Sequence, residues 1–240
     1  MVRSSGNTWS QVRTPALERA AAAPFPTTDA EHWRYSRIDE LSLSDFAPVP
    51  TPTSITGGGT PAVVTHVPAD AASVDPSLAD LFAVPSDDLE IFTALNYAHM
   101  DVVVVQVPRN AVVTEPIVVT HELSGTGNAF FPRLVIDAAE NSEVTVVERF
   151  VSPDGETMLV VPSLDVRTAQ SARVRYLGIN QLGDAVFQTG RIGMAGPFGR
   201  WVVPAYSTLT PSPDKPAGDI QFEWDFRPLP RGEERANVIL

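Results

Sequence analysis

The rhythm of hydrophobic and polar positions changes near residue 100. Before that point, apolar residues recur at helical spacing in short runs broken by proline and glycine. "TPALERAAAA" predicts a helix with Thr14 as N-cap and Pro15 at its first position. Residues 1–13 carry no such pattern and read as disordered, and Pro24 and Pro26 stop the helix. In "TTDAEHWRY", Thr28 and Glu31 stand at capping-box spacing, each side chain able to satisfy the other's free N–H. Pro48, Pro50, Pro52 and "TGGGT" (Thr56 to Thr60) read as loop, and "PAVVTHVP" as a short strand. "SLADLFA" and "SDDLEIFTALNYAHM" read as helices, the second capped by Ser86 with Leu89, Phe92 and Leu95 on one face.

From Asp101 the sequence becomes valine-rich with strand-like alternation. Three stretches align: Val103 to Ile117, Leu134 to Glu148 and Leu164 to Gly178, at spacings of 31 and 30 residues. Their centres are small or polar (Arg109-Asn110-Ala111, Glu140-Asn141-Ser142, Gln170-Ser171-Ala172), and Val113, Val144 and Val174 follow in register. A period near 30 over three units is the mark of a solenoid, in which one unit cannot bury its own face but stacked units can. Pro116 suits a coil corner better than a central strand, where its missing N–H would break the ladder.

The expected class is therefore mainly β, a right-handed parallel β-helix preceded by a small α-helical region; a β-sandwich is the alternative. The organisation read from this is a helical region with a short strand and loop over 1–100, a β-helix core over 101–192 and a divergent proline-rich segment over 193–240. No polar capping unit is legible after Ile192. The open end of the stack is expected to be covered by the last segment, by a partner, or by a part belonging to a longer protein.

Composition narrows the chemistry. The 240 residues are 43% hydrophobic, enough for a sizeable core, and no apolar run approaches the length of a membrane-spanning helix. The formal net charge of −12 disfavours nucleic acid and anionic membranes, and leaves proteins or small ligands as partners. No secretory signal is legible at the N-terminus, and the absence of cysteine is compatible with a cytoplasmic location.

Few residues suggest a reactive site. The histidines are His32, His66, His99 and His121, with no pair at helical metal-ligand spacing. His121 and Glu122 sit at a strand end on opposite faces, so a surface or hydrogen-bonded histidine is the default for His121, as for His99. "GTGNAF" and "TGGGTP" lack the Lys-Ser/Thr continuation of a phosphate loop and read as turns. Asp87-Asp88 stands at a helix start, where carboxylates favour the dipole. "HWRY" is the densest stretch: Trp33, Arg34, Tyr35 and Arg37 form a possible partner surface, against the alternative that Trp33 only anchors the N-terminal region.

Several blocks together resemble a known family. "EHWRYSRIDEL" is similar to a segment near the start of SufD-type subunits of the SUF iron–sulfur cluster assembly system. "FTALNYAHMDVVVVQVPRNAVVTEPIVVTHE", "FFPRLVIDAAENSEVTVVERFV" and "ARVRYLGINQLGDAVFQTGRI" resemble later blocks of that family, collinearly from Glu31 to Ile192. The resemblance implies a β-helical, non-enzymatic scaffold subunit that pairs with a SufB-like paralogue and works with a SufC-like ATPase in the cytoplasm. It also implies a C-terminally truncated or divergent member, because the family's later coils, its helical ATPase-docking domain and its interface histidine have no counterpart here. Without thiolates this chain holds no cofactor alone, and a transient iron–sulfur cluster belongs to the assembled complex. Two other readings stay open. One is a β-helix enzyme acting on carbohydrate, for which the aligned coils offer only Glu115, Arg149 and Arg175. The other is a non-functional remnant.

Overall fold

The computed structural model describes residues 9–30, 33–34, 36, 38–71, 75–82, 90–196, 199–203 and 220–226. Its elements in chain order are α1 (Trp9–Ala22), β1 (Ala47–Pro48), β2 (Thr53–Gly57), β3 (Val63–Val67), α2 (Ile91–His99), β4 (Asp101–Val107), β5 (Ile117–Glu122), β6 (Asn128–Phe130), β7 (Pro132–Ala138), β8 (Glu143–Val151), β9 (Met158–Val160), β10 (Ser163–Thr168), β11 (Arg173–Gln181), β12 (Val186–Gln188), β13 (Arg191–Gly196), β14 (Gly199–Val203) and β15 (Ile220–Phe226).

From β4 to β13 the chain visits three sheets in rotation. β4, β7, β10 and β13 lie side by side in one sheet, β5, β8 and β11 in a second, and β6, β9 and β12 in a third. All of these neighbours are parallel. The turn after β4 shows why the spacing repeats. Asn110, Asn141 and Ser171 have φ of 59°, 56° and 59°, a left-handed turn that asparagine tolerates well. The Asn110 and Asn141 amides donate to the Glu140 and Gln170 carbonyls in the following layer, and the Asn141 side chain donates to that of Asn110 at 2.9 Å. Alternate residues then face inward: Val103, Val105, Leu134, Ile136, Leu164 and Val166 from the first sheet meet Ile117, Val119, Val144, Val146 and Val174 from the second in one buried cluster.

The expected fold class needs correction. The molecule is not the expected right-handed parallel β-helix preceded by a small helical region but a mixed α and β structure with three sheets of four, six and five strands. Four strands run antiparallel to their neighbours: β2 on β5, β3 on β4, β14 on β13 and β15 on β11. The region before Asp101 contributes a strand to every sheet, including part of the stretch read as loop, since β2 reaches Gly57. Strands left at the ends of the layers present unpaired N–H and C=O groups, and the antiparallel strands satisfy four such edges.

Register corrects the repeat as well. The offset of 31 holds at Val103 and Leu134, but Ile117 pairs with Val146, two residues short of the alignment with Glu148. Thr114, Glu115 and Pro116 are exposed and take up the excess between the turn and β5.

The helices cover the outer face of the first sheet. α1 starts earlier than its sequence signals predict, and Pro15 lies inside it. Burial outweighs the cap: Trp9 is 2% exposed, its ring 5.4 Å from that of Phe82, and Ala16 is buried. Thr28 bonds Asp39, and Glu31, the other residue of the expected capping box, lies outside the described residues, as do Ser86 and Asp87-Asp88. "SLADLFA" supplies most of a short 3-10 turn, Pro76–Leu81. α2 is held by Asn96, whose buried amide donates to the carbonyls of Pro132 (3.1 Å) and Val161 (2.7 Å) and accepts from Arg133 (3.1 Å). Asn96→Ala leaves all three groups buried without that partner. The expected cost is about 3 kcal/mol, or roughly 6–12 °C in Tm, measured by thermal denaturation; an unchanged Tm would show that α2 does not depend on this tie.

Candidate functional site

A polar cluster lies in the hydrophobic interior, built by three strands of the second sheet and the N-terminal strand beside it. β5 buries alternate residues, placing His121 inside and Glu122 outside, as alternation predicts. β8 does the same through nine residues and turns Glu148 inward. The two-residue shift in register sets His121 opposite Phe150 and Glu148 opposite Val119, so the imidazole and carboxylate are diagonal neighbours. Their Nε2 and Oε1 atoms are 3.0 Å apart, and each side chain is 3% exposed. Tyr176 on β11 donates its hydroxyl to the other carboxylate oxygen at 2.6 Å. Gly178 is the residue beside Glu148 on β11, where an added Cβ would come within 3.1 Å of the Tyr176 hydroxyl. Glycine leaves room for that hydroxyl to reach Glu148. Thr53 on β2 stands directly across from His121, its Oγ1 2.9 Å from Nδ1.

A buried carboxylate is strongly disfavoured unless its oxygens are bonded, and both are. Burial, and then the adjacent Glu148, hold the Tyr176 hydroxyl well above its ordinary ionisation range. A second buried charge lies on the outer face, where Arg133 donates to Tyr97 and Asp165 and stacks 4.0 Å over the Tyr97 ring. Burial alone would lower its pKa; Asp165 and Tyr97 outweigh that and raise it. Arg133 thus fastens α2 to β7 and β10.

The residues singled out from sequence fall elsewhere. Trp33 is 1% exposed and packs with Ile38, Leu41, Ile91 and Phe92, with Nε1 3.2 Å from Glu90. It is a core anchor and offers no surface. Arg34 is exposed, while Tyr35 and Arg37 lie outside the described residues. His99 is half-buried against the Phe131 ring at 5.1 Å, and burial, followed by Arg13, lowers its pKa. Glu115 projects with the exposed excess residues, and Arg149 and Arg175 point outward to Gln181 and Glu143. Among the described residues no three histidine, aspartate or glutamate side chains are grouped as metal ligands. Sequence reasoning passed over Glu148 and Tyr176. The usable signal was the surplus at Thr114 to Pro116, which moves His121 two positions closer to Glu148.

Residues 120–195 match a family described as "SUF system FeS cluster assembly, SufBD core domain". The match supports membership of the SufB/SufD family of that system, and it spans His121, Glu148 and Tyr176. It does not distinguish the SufD type. No curated protein and no solved structure matches the chain.

Tyr176→Phe removes the donor to Glu148 and is expected to cost about 1–3 kcal/mol near neutral pH. The pH dependence has a definite sign. An unfolded tyrosine ionises near about pH 10, whereas the buried one keeps its proton to higher pH. The stability from that bond is therefore complete below about pH 10 and is lost as pH rises beyond it. Thermal denaturation of both proteins from about pH 8 to about pH 11 is expected to show the gap in Tm closing. Parallel curves would contradict this assignment.

Proposed function

We propose that this chain is a non-enzymatic scaffold subunit of the SUF iron–sulfur cluster assembly system, of the SufD type, which pairs with a SufB-like subunit and works with a SufC-like ATPase. The observation that carries this reading is the match of residues 120–195 to the SufBD core domain. Two features of the chain accord with a scaffold. The interior of the layers is filled by apolar side chains, and the His121, Glu148 and Tyr176 side chains within it are bonded to one another. Among the described residues no helix is long and apolar enough to cross a membrane.

The iron–sulfur cluster is cargo in this reading. Cluster iron is held by thiolates, and with no cysteine in these 240 residues the ligands come from another subunit. The role of this chain is to position that subunit. The test is co-expression of the tagged chain with SufB-like and SufC-like proteins from the same source, followed by a wash at about 300 mM salt to screen weak charge pairs. Retention of the SufB-like protein is the expected result, with the ATPase retained through it. Recovery of the chain alone, folded but without either protein, would contradict the assignment.

A further inference from the structure

The polar cluster also contains a proton count. Thr53 Oγ1 has a single hydrogen, yet it lies 3.1 Å from the Thr51 carbonyl and 2.9 Å from His121 Nδ1. The carbonyl can only accept. Both contacts are hydrogen bonds only when the hydroxyl donates to Thr51 and Nδ1 carries a proton that it donates to Thr53. On the far side of the ring, Nε2 and Glu148 Oε1 share a second proton across 3.0 Å, while Tyr176 donates its own to Oε2. The imidazole and carboxylate together therefore hold two protons and no net charge.

We propose that this neutral His121–Glu148 pair is a latch, holding the covering strand β2 on the edge of β5. The groups facing the imidazole are Thr53 from β2 and Glu148 with the Phe150 ring from β8, and Tyr176 of β11 lies behind Glu148. Apolar residues of the interior surround them. Removing one proton leaves a buried negative charge and makes Nδ1 compete with the Thr51 carbonyl for the Thr53 hydrogen. Adding one leaves a buried positive charge. Each change penalises the closed arrangement, because an uncompensated charge in such a site is costly. The cluster crosses from the parallel strands to β2, which lies at one end of that sheet. Opening there uncovers the backbone edge of Ile117–Glu122, a surface suited to strand addition. The latch concerns this chain's own residues and does not depend on the proposed function.

Two measurements on the full chain test it. In protein labelled with nitrogen-15 at histidine, His121 Nδ1 is expected to show a directly bonded proton near neutral pH. A non-protonated Nδ1 would overturn the proton count. Thr53→Val keeps the shape of the side chain and removes its hydroxyl. It is expected to speed amide exchange in 53–57 and 117–122 about tenfold at neutral pH, the scale of one lost buried hydrogen bond. Exchange unchanged in the variant, or raised equally in 143–151, would overturn the latch. The histidine measurement needs no substitution and stands whether or not the variant folds well.

Discussion

Everything in this structure depends on keeping strands that are about 30 residues apart in register. The constraint is local: a single left-handed residue at Asn110, Asn141 and Ser171 turns the chain at the same point in successive layers. Because side chains alternate along a strand, a slip of one residue would turn every inward valine to solvent. The turn residues prevent this by binding each other's layers, through backbone amides and through the Asn141–Asn110 side-chain bond. The outer ion pairs follow the same register: Arg109 meets Glu140 at 3.0 Å, and Arg175 meets Glu143 at 3.1 Å. Both pairs are exposed and add little energy by comparison with the buried rows.

Register also explains how an apolar interior accommodates a charged residue. Glu148 occupies an inward position between Val146 and Phe150, where a valine would otherwise continue the row. It is tolerated because the two neighbouring strands supply what it needs: β5 gives His121, and β11 gives Tyr176 together with the glycine at 178 that leaves the tyrosine room. A shift of any strand would leave a bare carboxylate, so the cluster contributes specificity of pairing beyond its own bonds.

The repeat was legible because turn chemistry and valine patterning leave the same mark in each layer. Four things were not. Of the antiparallel strands at the ends of the layers only β3 was legible, within "PAVVTHVP"; β2 is "TSITG", which reads as loop beside three glycines. Pairing across 60 or more residues, as between Thr53 and His121, leaves no periodic trace. The start of α1 was hidden because the burial of Trp9 against Phe82, far along the chain, outweighs the local signals at Thr14 and Pro15. The cluster was hidden by the two-residue surplus before β5, which a fixed period of 31 carries straight past. Trp33 was open to two readings, partner surface or anchor of the N-terminal region, and packing takes the indole into the core.

The register at that surplus is the most exposed part of this account, and cross-linking tests it directly. The chain has no cysteine, so an introduced pair reports alone. The structure places Thr120 beside Arg149, whereas an uninterrupted period of 31 would place Val118 there. Parallel neighbours about 4.8 Å apart lie within disulfide reach, and a two-residue offset carries the Cα atoms to about 8 Å, beyond it. Under mild oxidation, Thr120→Cys with Arg149→Cys is expected to close readily, and Val118→Cys with Arg149→Cys to remain reduced. The reverse outcome would contradict the register, and with it the buried contact between His121 and Glu148.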